Sequence, residues 1–270
     1  MKLLFAFVAY VPCIAYSIPA VAQSAKDFHA FGWNAYSQST GDAFNVFRNE
    51  ASIAHTAHFT AGILAEEKFM LQETTSFAFT AAFPLLSGAF GITGKSFGFE
   101  NFRQLQTTLI YGRQLTDWLD IGTEFDYLHT RVPGYGSAHA VTFGMGVLIH
   151  WNKKWHTGFH TFNPANVKFS GLGDDHIPAI YRIGSGYQPS EIFLLSAEIS
   201  KTTGFPLEGM AAFHYRIIEN LSFTGGAGTG ENNLFLGFNI YLKQIQILLS
   251  ASHHARLGLT PSTGFIYENK

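Results

Sequence analysis

Leu119-Asp120-Ile121-Gly122-Thr123-Glu124-Phe125-Asp126-Tyr127-Leu128-His129 is the stretch on which the fold turns. Its odd positions carry Leu, Ile, Thr, Phe, Tyr and His, and its even positions Asp, Gly, Glu, Asp and Leu. Successive side chains of a strand point to opposite faces, so this is a strand with one greasy and one polar face. The next segment repeats the pattern. Val141, Phe143, Met145, Val147, Ile149 and Trp151 share one face, opposite Ala140, Thr142, Gly144, Gly146, Leu148 and His150.

Working outward, the same alternation occupies 103–113, 179–188, 193–200, 207–217, 234–242 and 244–252. It is weaker over 54–65, 75–83, 87–98, 154–162, 219–228 and 259–268. The count is about 14 segments, each close to the 9–11 residues of a tilted membrane-spanning strand. Turn residues punctuate them: Pro84, Thr116-Asp117, Pro133-Gly134, Asn152-Lys153, Pro189-Ser190, Glu219-Asn220, Gly230-Glu231 and Pro261. Alternation alone fits a soluble sandwich as well as a membrane barrel.

Composition favours the barrel. Of 270 residues, 47% are hydrophobic, 16% aromatic and only 13% charged. Soluble domains average about 25% charged residues, so this chain lacks the charge to coat a water-facing surface. The net charge of −2 provides no basic footprint for nucleic acid. The polar stripes hold Gly, Ser, Thr and Gln rather than Lys and Glu, which suits a narrow lumen. Tyr111, Trp118, Tyr127, Trp151, Trp155, Tyr181, Tyr187, Tyr215, Tyr241 and Tyr267 collect near segment ends, as aromatic girdles at two interfaces require. After Gln23 no run of 18 apolar residues offers a spanning helix.

Residues 1–22 have the form of a cleaved signal peptide: Lys2, then the apolar LLFAFVAYVPCIAY of Leu3 to Tyr16, then Ala20-Val21-Ala22. Pro12 before the lone Cys13 argues against lipidation there. The expectation is an exported protein of a Gram-negative cell outer membrane, in contact with its lipid. Residues 23–53 break the strand pattern and form a candidate N-terminal plug, with 54–270 as the barrel. A barrel of about 14 strands is too wide for its own side chains to close.

Within that stretch, Gly41-Asp42-Ala43-Phe44-Asn45-Val46-Phe47-Arg48-Asn49-Glu50-Ala51-Ser52 resembles the "D-A … F-x-N-P-A" element of FadL-like (fatty-acid-transporter-like) outer-membrane barrels. Asp42, Ala43, Phe47, Asn49 and Ala51 carry the match; Glu50 departs from it, where proline is expected. More narrowly, Thr161-Phe162-Asn163-Pro164-Ala165-Asn166, the strand ending at Gln188, and Ala251-Ser252-His253-His254 … Leu257-Gly258 … Pro261 are similar to the PorV/PorQ branch. That branch implies a binding or scaffold role in type IX-like protein secretion or surface attachment, with secretion-machinery proteins or secreted cargo as partners. The wider family implies a passive channel for a hydrophobic small molecule, with a kinked wall strand forming a lateral exit.

By parity, Asp120, Glu124, Asp126, Arg182, Glu198, Glu208, His214 and Arg216 face the interior. Charges enclosed in a barrel must be paired or hydrated. Two uses follow: a salt-bridge network holding wall and plug together, or a polar path for a solute. Gly144, Gly146, Gly184, Gly186, Gly225 and Gly226 leave room at the lumen or mark kinks in the wall. The irregular stretch 163–177, with Asn163, Pro164, Asp174 and Asp175, is a candidate extracellular or partner loop. Asp174-Asp175 alone make a poor Ca²⁺ site.

No metal or cofactor is expected. His156 and His160 share a face but lie about 13 Å apart by strand rise, against zinc bonds of about 2 Å. His253 and His254 point to opposite faces. No enzyme is expected either: Ser137 and His139 are neighbours by alternation alone, and no G-x-S-x-G string occurs.

Overall fold

A computed structural model describes residues 43–170, 176–229 and 232–269. The expected signal peptide, residues 23–42 with Asp42, and Asp174-Asp175 lie outside the described residues. The chain forms one closed antiparallel barrel of fourteen strands, each paired with its neighbours in sequence and β1 with β14. The strands are β1 (Thr60–Glu67), β2 (Thr75–Leu85), β3 (Gly88–Phe99), β4 (Phe102–Thr116), β5 (Leu119–Val132), β6 (Gly136–His150) and β7 (Trp155–Phe162). They continue with β8 (Ile180–Ser190), β9 (Phe193–Thr202), β10 (Leu207–Ile218), β11 (Leu221–Gly228), β12 (Asn232–Leu242), β13 (Ile245–His254) and β14 (Gly258–Glu268). Ile63 closes the wall by pairing with Phe79 on one side and Phe265 on the other. Closure leaves no edge strand, so the ladder pairs the wall backbone without water wherever neighbouring strands overlap.

The two faces differ as the alternation requires. Outward residues such as Phe125, Val141, Met145, Ile199 and Leu236 are more than half exposed, and together they form a continuous apolar belt. Inward residues such as Thr93, Gln104, Thr108, Thr130, Thr142 and Ser222 are buried. A large exposed apolar belt around a sealed polar interior suits hydrocarbon, where water would be costly.

The two rims are unlike. The start of β1 and the end of β14 lie on one rim, the termini-side rim, together with tight turns at 86–87, 117–118, 191–192, 219–220 and 243–244. The opposite rim bears the longest connection, 163–179. The aromatic residues are one-sided rather than in two equal girdles. Tyr111, Trp118, Trp151, Trp155, Tyr187, Tyr215, Tyr241 and Tyr267 fall toward the termini-side rim, and Tyr127 and Tyr181 toward the other.

Three local expectations need correction. The segment 54–65 is not all strand: a 3₁₀ turn runs to His55 and β1 starts at Thr60, because His55 is tied to Asp120 on the lumen side of β5 instead of joining the wall. Pro84 and Pro189 are not turns but lie in the last residues of β2 and β8. Pro189 falls where the β8–β9 register shifts, between Tyr187 and Ser190. Pro261 lies inside β14, one residue past the final β1 pair, Glu66–Ser262. Proline, which has no N–H, is tolerated where a ladder has ended or slipped.

Candidate lumen site and wall pocket

Two 3₁₀ turns, η1 (Ala43–Phe47) and η2 (Glu50–His55), sit inside the barrel. Asn49 starts η2: its side-chain oxygen accepts from Ala51 N at 3.0 Å, the bond expected of a capping Asn. Its amide nitrogen donates to the carbonyls of Val147 and Phe159, both at 3.2 Å, tying the turn to β6 and β7.

The wall makes room for this turn with glycine. Gly112, Gly122 and Gly146 are directly paired across β4, β5 and β6. A Cβ on Gly122 would collide with the backbone of Glu50 and Ala51, and one on Gly146 with the side chains of Asn49 and Glu50. These glycines are therefore required by close approach, not by backbone dihedral. Gly144 likewise accommodates Glu124, while Gly225 lies beneath Phe213 and Gly226 beneath Phe235.

The inner segment is two-sided, and so is the wall it meets. Val46, Phe47 and Ile53 pack with Ala78, Ala82, Ala89, Ile110, Leu248 and Ile266 in a buried apolar sector. Arg48 and Glu50 face charged partners. Arg48 donates to Glu198, and Arg182 Nε lies 4.0 Å from the same carboxylate. His160 Nδ1 lies 2.9 Å from Glu50 Oε1. Burial would raise the Glu50 carboxyl, but the charge of His160 and its hydrogen bond hold it below the ordinary value of 4.5. Lys95 lies over the Phe47 ring at 4.3 Å. Asp126 accepts from Thr108 Oγ1 at 2.6 Å and Gln106 Nε2 at 2.7 Å.

Toward the termini-side rim, Asp120 Oδ2 accepts from His55 Nε2 and His150 Nε2, both at 2.6 Å. The hydrogen bond to Asp120 raises the His55 imidazole above its ordinary value, against the opposing effect of burial.

Of the eight inward-facing positions expected from parity, Asp120, Glu124, Asp126, Arg182, Glu198 and His214 are buried. His214 contacts Thr224 Oγ1 at 3.0 Å. Glu208 and Arg216 lie near opposite ends of β10, the first half-buried and the second exposed, and neither joins the central group. Phe47, Asn49 and Ala51 are buried, and Ala43 lies in η1. Asn163 is buried with a left-handed backbone, φ 49°, and organises its loop. Its amide donates to Ile177 O at 2.7 Å, and its oxygen accepts from Thr142 Oγ1 and Val167 N. Pro164 follows, half-buried. Phe169 and Ile177 fold inward onto Leu128, Phe162 and Ile180.

Parity missed the partners of the inner charges. Lys95 and His160 share their strands' inner stripes, and His156 and His160 flank inward Gly158; that stripe was the available signal. Arg48, Glu50 and His55 gave none, since no strand period extends into the inner segment.

One pocket crosses the reading of the faces. About 470 Å³ of space at β1–β4 is lined by outward Ile63, Phe77, Phe79 and Leu105 and by inward Leu64, Ala78, Lys95 and Gln106. Gly94, on the outer stripe, is among its lining residues, with the Phe79 ring resting where a Cβ would be.

No protein-family model and no curated protein sequence matches the chain. Solved structures do. The toluene transporter TodX of Pseudomonas putida superposes with a TM-score of 0.62 at 13% identity, covering 89% of this chain and 96% of that one. A FadL homologue of Pseudomonas aeruginosa gives 0.58 at 11%, covering 86% and 94%. The monoaromatic hydrocarbon channel CymD gives 0.61 at 10%, covering 85% and 93%.

The fold is FadL-like. The similarity extends over nearly the whole barrel, and it carries the architecture rather than any particular chemistry.

Proposed function

We propose that this protein is a passive outer-membrane channel for a compact hydrophobic molecule of the aromatic-hydrocarbon class. The wall pocket carries the reading. It is apolar, its volume falls in the roughly 300–1,000 Å³ range of small-molecule sites, and its lining is drawn from five adjoining strands of the wall, β14 and β1 to β4. Structural neighbours named as toluene transporter and monoaromatic hydrocarbon channel support it. In this reading 23–53 is the plug, and the apolar sector around Phe47 lies on the lumen side of β1–β4 beside the pocket. Short turns face the periplasm in bacterial barrels and longer loops the exterior, so the termini-side rim is periplasmic. The leader at 1–22 delivers the chain there.

The alternative, a scaffold for secretion-machinery proteins or cargo, rests on short motifs alone. The described part of its partner loop turns Phe169 and Ile177 inward instead of presenting them.

The test is uptake of labelled toluene into liposomes holding the purified protein. Gly94→Phe, whose side chain must push the Phe79 ring out of its place and into the pocket space, should lower the rate at least about tenfold, the effect of removing about 1.4 kcal/mol of favourable passage. Uptake equal to that of empty liposomes, with export-machinery subunits co-purifying from native membranes, would move the assignment to the scaffold.

A further inference from the structure

We infer that His55, Asp120 and His150 form a binding site for a divalent transition-metal ion of the zinc class, which latches the inner segment to the barrel wall. Three ligand atoms of different origin converge. His55 Nε2 comes from the end of η2, Asp120 Oδ2 from β5 and His150 Nε2 from β6. All lie within 4.8 Å of one another. Ligand atoms around a tetrahedral zinc stand about 3.3 Å apart at bonds of about 2.0–2.1 Å. The carboxylate thus has to retreat by about 0.7 Å from each imidazole to admit the ion.

Three further features make this a built site. Asp120 is fully buried, and its second oxygen, Oδ1, has no hydrogen-bond partner among the described residues. A buried carboxylate oxygen without a donor is costly unless something positive approaches it. His150 is also oriented from behind: its Nδ1 lies 2.8 Å from Nδ1 of His156. Metal-bound histidines are held in this way, the free ring nitrogen donating to an outer partner that fixes the tautomer. Finally, His55 is about one-third exposed while Asp120 is sealed, so the ion has an entry from the rim. Two imidazoles and one carboxylate leave a coordination position open and favour Zn²⁺ and its neighbours over Ca²⁺ or Mg²⁺, which take oxygen ligands.

A second cluster, Glu50, Glu124 and His160, has a similar ligand count. It lies wholly buried beside Arg48 and Arg182, whose charge opposes a cation. The inference is independent of what the barrel carries.

The test is zinc titration of the full-length protein in detergent after chelator treatment, read by calorimetry and by bound-metal analysis. Co²⁺ substitution provides a visible spectrum as a second readout. One Zn²⁺ per chain is expected. His55→Gln, at a partly exposed position off the wall, should weaken binding by more than tenfold with the barrel intact. His156→Gln, which removes only a positioning residue, should cost about 10–100-fold. His253→Gln, an exposed change on β13 away from the inner segment, should leave zinc affinity unchanged. Absence of saturable binding, binding that survives His55→Gln, or binding abolished by His253→Gln would each overturn the assignment.

Discussion

Glu50 stands where the FadL-like element has proline, and the structure assigns it work that proline could not do. Its carboxylate is fully buried against His160, and its backbone presses on Gly122. Because the folded-state carboxyl lies below 4.5, the contact stabilises docking above the unfolded-state value and is lost as pH falls through the folded one. The protection of the amides of residues 43–55, taken relative to the intrinsic exchange rate at each pH, should therefore be high at neutral pH and fall in acid below about pH 4.5. Glu50→Gln should abolish that fall, and an unchanged acid profile in this variant would assign the response to another group. Gly122→Val tests the close approach. Its side chain would enter the space of Glu50 and Ala51, and overpacking of this kind costs about 1–3 kcal/mol, read as a lower unfolding midpoint. An unshifted midpoint would mean that the turn is not seated on the glycine row.

At the scale of the element, parity is the quantity at stake. Residues 142 and 143 are neighbours on β6, yet Thr142 is buried against Asn163 and Phe143 faces outward. Phe143→Arg should cost about 2–4 kcal/mol when the barrel is folded into lipid, from the placement of a cation near the bilayer midplane. Phe143→Leu should fold like the native chain. Chemical unfolding in vesicles measures both, and an Arg variant as stable as the Leu variant would reverse the faces. The strand pattern was legible because each face meets a single solvent along its whole length. It failed at the start of 54–65, where Ala54 and His55 belong to a turn enclosed by the barrel. An apolar residue facing a lumen and one facing lipid look alike in sequence.

For the whole molecule, the described inner segment lies within the lumen. Val46, Phe47 and Ile53 match the apolar sector of the wall, and Arg48 and Glu50 its charged sector. A chain lacking residues 23–53 should still form a heat-resistant barrel, since the fourteen-strand ladder closes without them. In planar bilayers it should conduct ions more freely than the intact protein. Equal conductance would mean that the inner segment does not block the lumen.

The sequence by itself determined the fold class, the facing of most strands and the polar character of the interior. These are local properties: side-chain alternation is written residue by residue, and a charge-poor chain has few surfaces it can present to water. It also placed Asp120, Glu124, Asp126, Arg182, Glu198 and His214 on inner stripes. Only the tertiary structure decided what they meet. Arg48 reaches Glu198 across 150 positions, and His55 reaches Asp120 across 65, so these pairs depend on strand register and on which sector of the wall the inner segment rests against. Alternation specifies a side, not a partner; closure of the barrel brings the partners together.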